Sequence, residues 1–387
     1  MGGFFQGVWE HRFSSNSDSS LQVSYDRFGL EDVLNETRGT LNIDFQHRFA
    51  RGERNNVTWG LGYRDSTSKT NGNFAFSLAP ANLTTQLFSG FLQDEIAMLP
   101  DKLYLTLGAK LEHNYYTGLD LLPSVRVAWT PDSHNTVWAA ISRALRTPDA
   151  LDESVRLGIA GFVGTDGVPT VVRIVGNPQV KNEGLLAYEL GYRSAIGDRL
   201  SVDCALYYNS YTDQETTEPA SPFLESAPLP AHLVLPLTYK NLMFGETHGL
   251  EFFANWKAAS HWTLSPGYSF EQIHMHLSPG SQDTGSVAAA QGGSPVHSAQ
   301  LRSYLAVSKR LSWDTAAMFS GRLASPAAPG YTRLDTTLTW RANALISLSL
   351  SGQNLLQNQH LEFVDVTGST QTTLIKRTVA AKVTWTF

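Results

Sequence analysis

The chain has 387 residues, of which 17% are charged and 11% aromatic, with a formal net charge of −6. The mild acidity and scattered basic residues give no sign of a nucleic-acid partner. No run approaches the roughly 18 consecutive apolar residues of a membrane-spanning helix, and the lone Cys204 excludes a disulfide framework or a thiolate metal site within the chain.

Residues 1–13 have neither the basic nor the apolar region of a secretory signal, so the chain reads as a mature or N-terminally truncated product. The informative pattern further on is alternation, because successive side chains of a strand point to opposite faces. Leu41, Ile43 and Phe45 alternate with Asn42, Asp44 and Gln46, and Val57, Trp59, Leu61 and Tyr63 with Thr58, Gly60, Gly62 and Arg64. Leu103, Leu105, Leu107 and Leu111 alternate with Tyr104, Thr106, Gly108 and Glu112. Leu186, Tyr188, Leu190 and Tyr192 oppose Ala187, Glu189, Gly191 and Arg193. Leu200, Val202, Cys204 and Leu206 oppose Ser201, Asp203, Ala205 and Tyr207. The last segment sets Val379, Ala381, Val383, Trp385 and Phe387 against Thr378, Ala380, Lys382, Thr384 and Thr386.

A soluble sandwich also alternates, but three features point to a membrane. The strands run to about ten residues, the length of a tilted crossing. Aromatics gather near strand ends, as in interfacial girdles: Trp9, Trp129, Trp138, Tyr207, Tyr208, Tyr211, Trp256, Trp340 and Trp385. Short and long connections also alternate. Short turns lie at 51–55, 100–102, 131–135, 197–199, 258–261, 310–311 and 342–344, and longer loops at 66–85, 150–182, 212–240, 278–296 and 357–376. Residues 14–20 look long for a turn, and 117–121 short for an external loop.

The prediction is an all-β, transmembrane antiparallel β-barrel in a bacterial outer membrane, a single domain over residues 1–387 with about 17 strands. An odd count starts and ends the chain on strands of the same direction. Either N-terminal strands are missing, which is the favoured reading, or the first and last strands close in parallel.

Several segments resemble the barrel of TonB-dependent receptors, nearest the siderophore-receptor type. Phe91-Leu92-Gln93-Asp94-Glu95, followed by Leu103-Tyr104-Leu105-Thr106-Leu107-Gly108, resembles that family's "QDE" hairpin. Ser142-Arg143-Ala144-Leu145-Arg146-Thr147-Pro148 resembles a conserved strand end of that family. Asn177-Pro178, Glu183 and Tyr188-Glu189-Leu190-Gly191-Tyr192-Arg193 resemble its "NP…PE…yElG.r" segment. Gly249-Leu250-Glu251 and Asn354-Leu355-Leu356 resemble two further motifs, and Trp385-Thr386-Phe387 resembles the aromatic ending. The resemblance implies about 22 strands in the complete barrel, with about five and the N-terminal plug outside this sequence. TonB would then act only through a plug not present in this chain. The other partners it implies are outer-membrane lipid, the barrel assembly machinery, which would read Val383, Trp385 and Phe387, and a small-molecule or chelate ligand.

Candidate ligand-binding residues are Arg143, Arg146, Arg156, Arg173, Glu183, Glu215, His274 and His276, in the lumen or external loops. For Arg143, Arg146, Glu183, Glu189 and Arg193, the plainer reading is pairing across the wall of a polar lumen. His274-Met275-His276 places two imidazoles on one side of a strand near its external end, an incomplete metal or iron-chelate site. The loops 150–182 and 212–240 are either capture surfaces or mobile covers. No catalytic or phosphate-loop motif stands out, and no cofactor is expected. The leading function is TonB-dependent uptake of a bulky scarce solute, with a ferric siderophore as best guess. The alternatives are a passive pore, for which no inward constricting loop is identified, and an outer-membrane barrel enzyme.

Overall fold

The computed structural model describes residues 1–31, 35–364 and 372–386. Seventeen strands follow one another as neighbours in one sheet. The first eight are β1 (Gly2–Ser14), β2 (Ser17–Leu30), β3 (Asn35–Arg51), β4 (Asn55–Asn71), β5 (Asn82–Leu99), β6 (Leu103–Asn114), β7 (Gly118–Asp132) and β8 (Asn135–Arg146). Next come β9 (Glu183–Ile196), β10 (Leu200–Pro219), β11 (His232–Ala259), β12 (Trp262–Leu277) and β13 (His297–Ala306). The last are β14 (Leu311–Ser320), β15 (Tyr331–Arg341), β16 (Ile346–Gln353) and β17 (Thr378–Trp385). Every neighbouring pair is antiparallel. The expected strand number and order therefore stand. Among the described residues no ladder joins β1 to β17.

The two faces of this wall follow from register. Tyr188 lies opposite Ile141 of β8 and Tyr208 of β10, and directly opposed residues share a face. Leu190 on that face is 49% exposed, and the neighbouring Leu186, Tyr188, Tyr192, Leu206 and Ile141 are exposed with it. Buried apolar residues are few, Val155, Val234, Met243 and Met275 among them. A soluble domain of this length would hide a large apolar core. Here the apolar side chains stand on the outside, where lipid covers them. Trp129, Trp256 and Trp340 share that exposure and pair with residues beside the short turns, forming one girdle.

Trp138, Tyr207 and Tyr211 depart from the expected girdle. They face the lumen side, because their partners Gly191, Gly249 and Gly245 lie on the side opposite Leu190 and Leu250. A Cβ on Gly191 would stand 2.2 Å from the Trp138 ring, and one on Gly249 would stand 2.3 Å from the Tyr207 hydroxyl. The Trp138 and Tyr207 rings thus each fill the space above a cross-strand glycine.

Two connections differ from expectation. Residues 14–20 tighten to a turn at Ser15 and Asn16, since β2 already begins at Ser17. The external β6–β7 connection is short because Asn114 Oδ1 accepts the backbone N–H groups of Tyr116 (2.9 Å) and Thr117 (2.8 Å). Gly118 then takes φ +79°, a left-handed conformation that costs glycine little.

The long loops are structured. After helix α1 (Ala150–Ser154), strands Val155–Val163 and Pro169–Val175 form a hairpin. Its second strand pairs in parallel with Leu233–Thr238 of β11. Phe223–Glu225 pairs with His232–Val234, and Phe76–Leu78 with Val155–Leu157. β-branched runs such as Thr170-Val171-Val172 favour these strands, which continue the wall's own sheet at its external end and form the cap. Residues 278–296 carry helix α2 (Ser286–Gly292), which packs on the lumen face of β12. Met243 and Met275 are buried there, and Gln291 donates to the Met275 carbonyl at 3.0 Å. This loop is the inward-folded element that the sequence did not reveal.

Gly249→Val is expected to lower stability by about 1–3 kcal/mol through overpacking. Gly3→Val, with nothing within 4 Å of its Cβ, is expected to be nearly neutral. Urea unfolding in detergent micelles, compared at the midpoint, checks the difference.

Candidate ligand-capture site

The cap is held by two charge clusters. In the first, Glu225 receives Arg173 Nη1 at 2.7 Å and His232 Nε2 at 3.1 Å on one carboxylate oxygen, and Arg156 Nη2 on the other. The Arg173 and His232 side chains are almost wholly buried, whereas that of Arg156 is 40% exposed. Phe74 closes one side: its ring meets His232 edge-on at 5.2 Å, and the Arg173 guanidinium sits 5.1 Å from its centroid. Burial works against the Glu225 charge, but the two arginines and His232 outweigh it and hold its carboxyl below the usual range. One carboxylate thus serves two guanidinium groups and an imidazole, leaving one guanidinium charge in excess within this cluster.

In the second cluster, Arg146 gathers three carboxylates: Asp152 at 2.9 Å, Glu183 at 3.3 Å and Glu215 at 3.6 Å. Asp152 belongs to α1, Glu183 opens β9, and Glu215 lies on the external extension of β10. Glu215 lies fifteen residues past Leu200, beyond the roughly 9–11 residues of a crossing. Burial pushes its carboxyl up to about 7, Asp152 adds to the rise, and Arg146 opposes it. Glu183 also accepts the Glu215 backbone N–H at 3.1 Å. The cluster therefore fastens α1 and the cap hairpin to the wall.

The other expected site residues are dispersed. Arg143 lies opposite Leu186, on the outer face, and donates to the Leu121 carbonyl at 2.7 Å. His274 and His276 lie opposite Glu246 and Phe244, on the same outer face as Leu250 and Phe270. Arg193 pairs with Asp203 at 2.6 Å near a short turn, and Glu189 lines a lumen recess with Glu95, Arg126 and Trp138. Val383 and Trp385 are exposed on β17, and Phe387 lies outside the described residues. Phe74, Asp152 and His232 escaped sequence reasoning, because only the fold brings them to the arginines. Among the described residues no group of three or more His, Cys, Asp or Glu could hold a metal ion.

The motif residues act as ties. Asn177 donates from Nδ2 to the Tyr239 carbonyl at 2.9 Å, joining the cap to β11. Asn354, fully buried at φ +54°, donates its backbone N–H to Asp335 at 2.9 Å and its Nδ2 to the Ile375 carbonyl at 3.0 Å. Glu218 accepts Ser281 Oγ at 2.6 Å and the Gln282 N–H at 2.7 Å, anchoring the inward loop.

Two outcomes follow from the clusters. Glu225→Ala leaves Arg173 buried without its anion, which costs about 3–5 kcal/mol for such a pair; faster hydrogen exchange over 155–175 is expected. Glu215 holds its proton more tightly in the folded cap than its ordinary value of 4.5. Its contribution is therefore complete below about pH 4.5 and is lost as pH rises through about 7. A spin label at Ala160 is expected to be less mobile at about pH 5.5 than at about pH 8, with the difference reduced in Glu215→Gln.

Comparison with known proteins places this architecture. The Iron-regulated outer membrane virulence protein of Vibrio cholerae serotype O1 (Classical Ogawa 395) is 24% identical over 379 residues, 92% of this chain and 52% of that protein. The same protein from El Tor Inaba N16961 is 24% identical over 296 residues, 72% of this chain and 42% of its own length. The chain thus spans about half the length of these curated relatives. The siderophore receptor PirA from Acinetobacter baumannii superposes with a TM-score of 0.76 at 13% identity, covering 100% of this chain and 63% of that one. The ferric-catecholate import receptor Fiu from E. coli K12 gives 0.74 at 12% identity, covering 100% and 64%. At these identities the likeness to solved structures carries the fold alone. The family described as "TonB dependent receptor-like, beta-barrel" matches residues 3–355. With nearly the whole wall inside that match, the chain belongs to the TonB-dependent receptor-like β-barrel family, which resides in the bacterial outer membrane.

Proposed function

We propose that the chain forms the barrel of an uptake receptor for a bulky, scarce solute, best met by a ferric siderophore. The observation that carries this reading is the local guanidinium excess around Glu225 in the cap, two arginines against one carboxylate. Arg156, Arg173 and His232 share one carboxylate, and the Arg156 side chain remains 40% exposed. An anionic chelate would meet Arg156 first, on a cap whose strands are already ordered, so little conformational entropy is lost on binding. TonB would act through the family's plug domain rather than through the wall residues.

The test is quenching of intrinsic tryptophan fluorescence in the refolded chain by ferric catecholates, ferric hydroxamates, oligosaccharides and cobalamin. Binding of a ferric chelate is expected, weakened by about 2 kcal/mol or more in Arg156→Ala. Binding to none of the panel would contradict the proposal.

A passive pore is the second reading. The loop 278–296 favours it, since α2 is held on the lumen side of β12 by the Gln291–Met275 contact. Steady conductance in planar bilayers, unaffected by any chelate, would support the pore.

A further inference from the structure

The sequence singled out His274 and His276, and the uptake reading uses neither. Both project from the outer wall. The structure adds a third imidazole that sequence separation concealed: His248 of β11 lies diagonally across from His274, their ring centroids 5.7 Å apart. His274 is twelve residues beyond Trp262 at the girdle end of β12, just past the roughly 9–11 residues of a crossing. His274 therefore sits where the wall leaves the hydrocarbon, within reach of water and ions, and His248, eight residues from Trp256, lies just inside that edge.

We propose that His248 and His274 form a two-imidazole site for a divalent first-row transition metal on the outer wall. An ion about 2.1 Å from one nitrogen of each ring sets the centroids roughly 5–6 Å apart, which matches the observed spacing. The tautomer is also arranged. His248 Nε2 lies 3.1 Å from Gln272 Oε1, so a proton on Nε2 donates to that oxygen and leaves the Nδ1 lone pair free. His274 is exposed and makes no hydrogen bond to a described residue through its ring nitrogens. Glu246, on the same face directly opposite His274, adds a negative charge that favours a cation. Water completes the coordination, because two side chains do not fill the shell. His276 faces Phe244, ring centroids 5.6 Å apart, and lies one position farther along the strand, outside the pair.

Copper(II) binds such nitrogen ligands most tightly among these ions, so it is the probe. The refolded chain is titrated with Cu2+ and followed by electron paramagnetic resonance, each variant first being shown folded by its heat-modifiable gel shift. The expected result is a two-nitrogen signal that falls to one nitrogen, with at least a tenfold loss of affinity, in His248→Gln and in His274→Gln. His276→Gln and His297→Gln are expected to leave it unchanged. On the wild-type chain, Cu2+ is expected to protect His248 and His274 together from diethyl pyrocarbonate, read by mass spectrometry. A signal that survives His248→Gln but not His276→Gln would overturn the cross-strand pair in favour of the local His274–His276 pair. Absence of a two-nitrogen signal, or absence of joint protection, would overturn the site itself.

Discussion

A polypeptide crossing hydrocarbon must pair each of its own backbone N–H and C=O groups, because no water is there to do so. The long antiparallel ladders from β1 through β17 are the response to that constraint. Once the backbone is satisfied by strand neighbours, side chains divide between lipid and lumen with a period of two. Leucine and aromatic residues cover the outside. Polar and charged residues, with glycines under Trp138 and Tyr207, line the inside.

The external mouth is governed by a different balance. Strands that continue past the membrane are no longer held by lipid, and their loops would be costly to order without specific ties. Glu225 and Arg146 each act as a hub there, the first for cations and the second for carboxylates. Both draw partners from segments far apart in sequence. The buried half of each hub rigidifies the cap, while the exposed Arg156 faces solvent. Asp283 and Glu218 do the same for the inward loop, which is fixed to β10 by side-chain-to-backbone bonds.

The wall was legible because a period of two persists through strand after strand, and because short turns punctuate it. Strand number and the alternation of short and long connections could be read from that pattern alone. Facing was harder wherever a residue's own chemistry suggested the opposite side. Trp138, Tyr207 and Tyr211 looked like girdle residues, yet register with a glycine places them on the lumen side. Arg143 looked like a lumen residue, and His274 and His276 like residues of the lumen or an external loop, yet their partners Leu186, Glu246 and Phe244 place them on the outer face. The cap strands were hidden for another reason: their pairing is nonlocal and partly parallel, so no adjacent hairpin announces it. Motif residues such as Asn177, Glu183 and Asn354 marked the right places, but only the fold reveals that they tie loops to strands.

The division of faces is the claim on which the rest depends, and accessibility of spin labels along β9 tests it most directly. With Cys204 first replaced by serine, single labels would be placed in turn at positions 186 to 190, 192 and 193 of the refolded chain in lipid, leaving Gly191 under the Trp138 ring unlabelled. Collision with oxygen should peak at 186, 188, 190 and 192, and collision with a water-soluble nickel chelate at 187, 189 and 193. Equal accessibility at both sets, or the two patterns exchanged, would contradict a wall with lipid on one side and a polar lumen on the other.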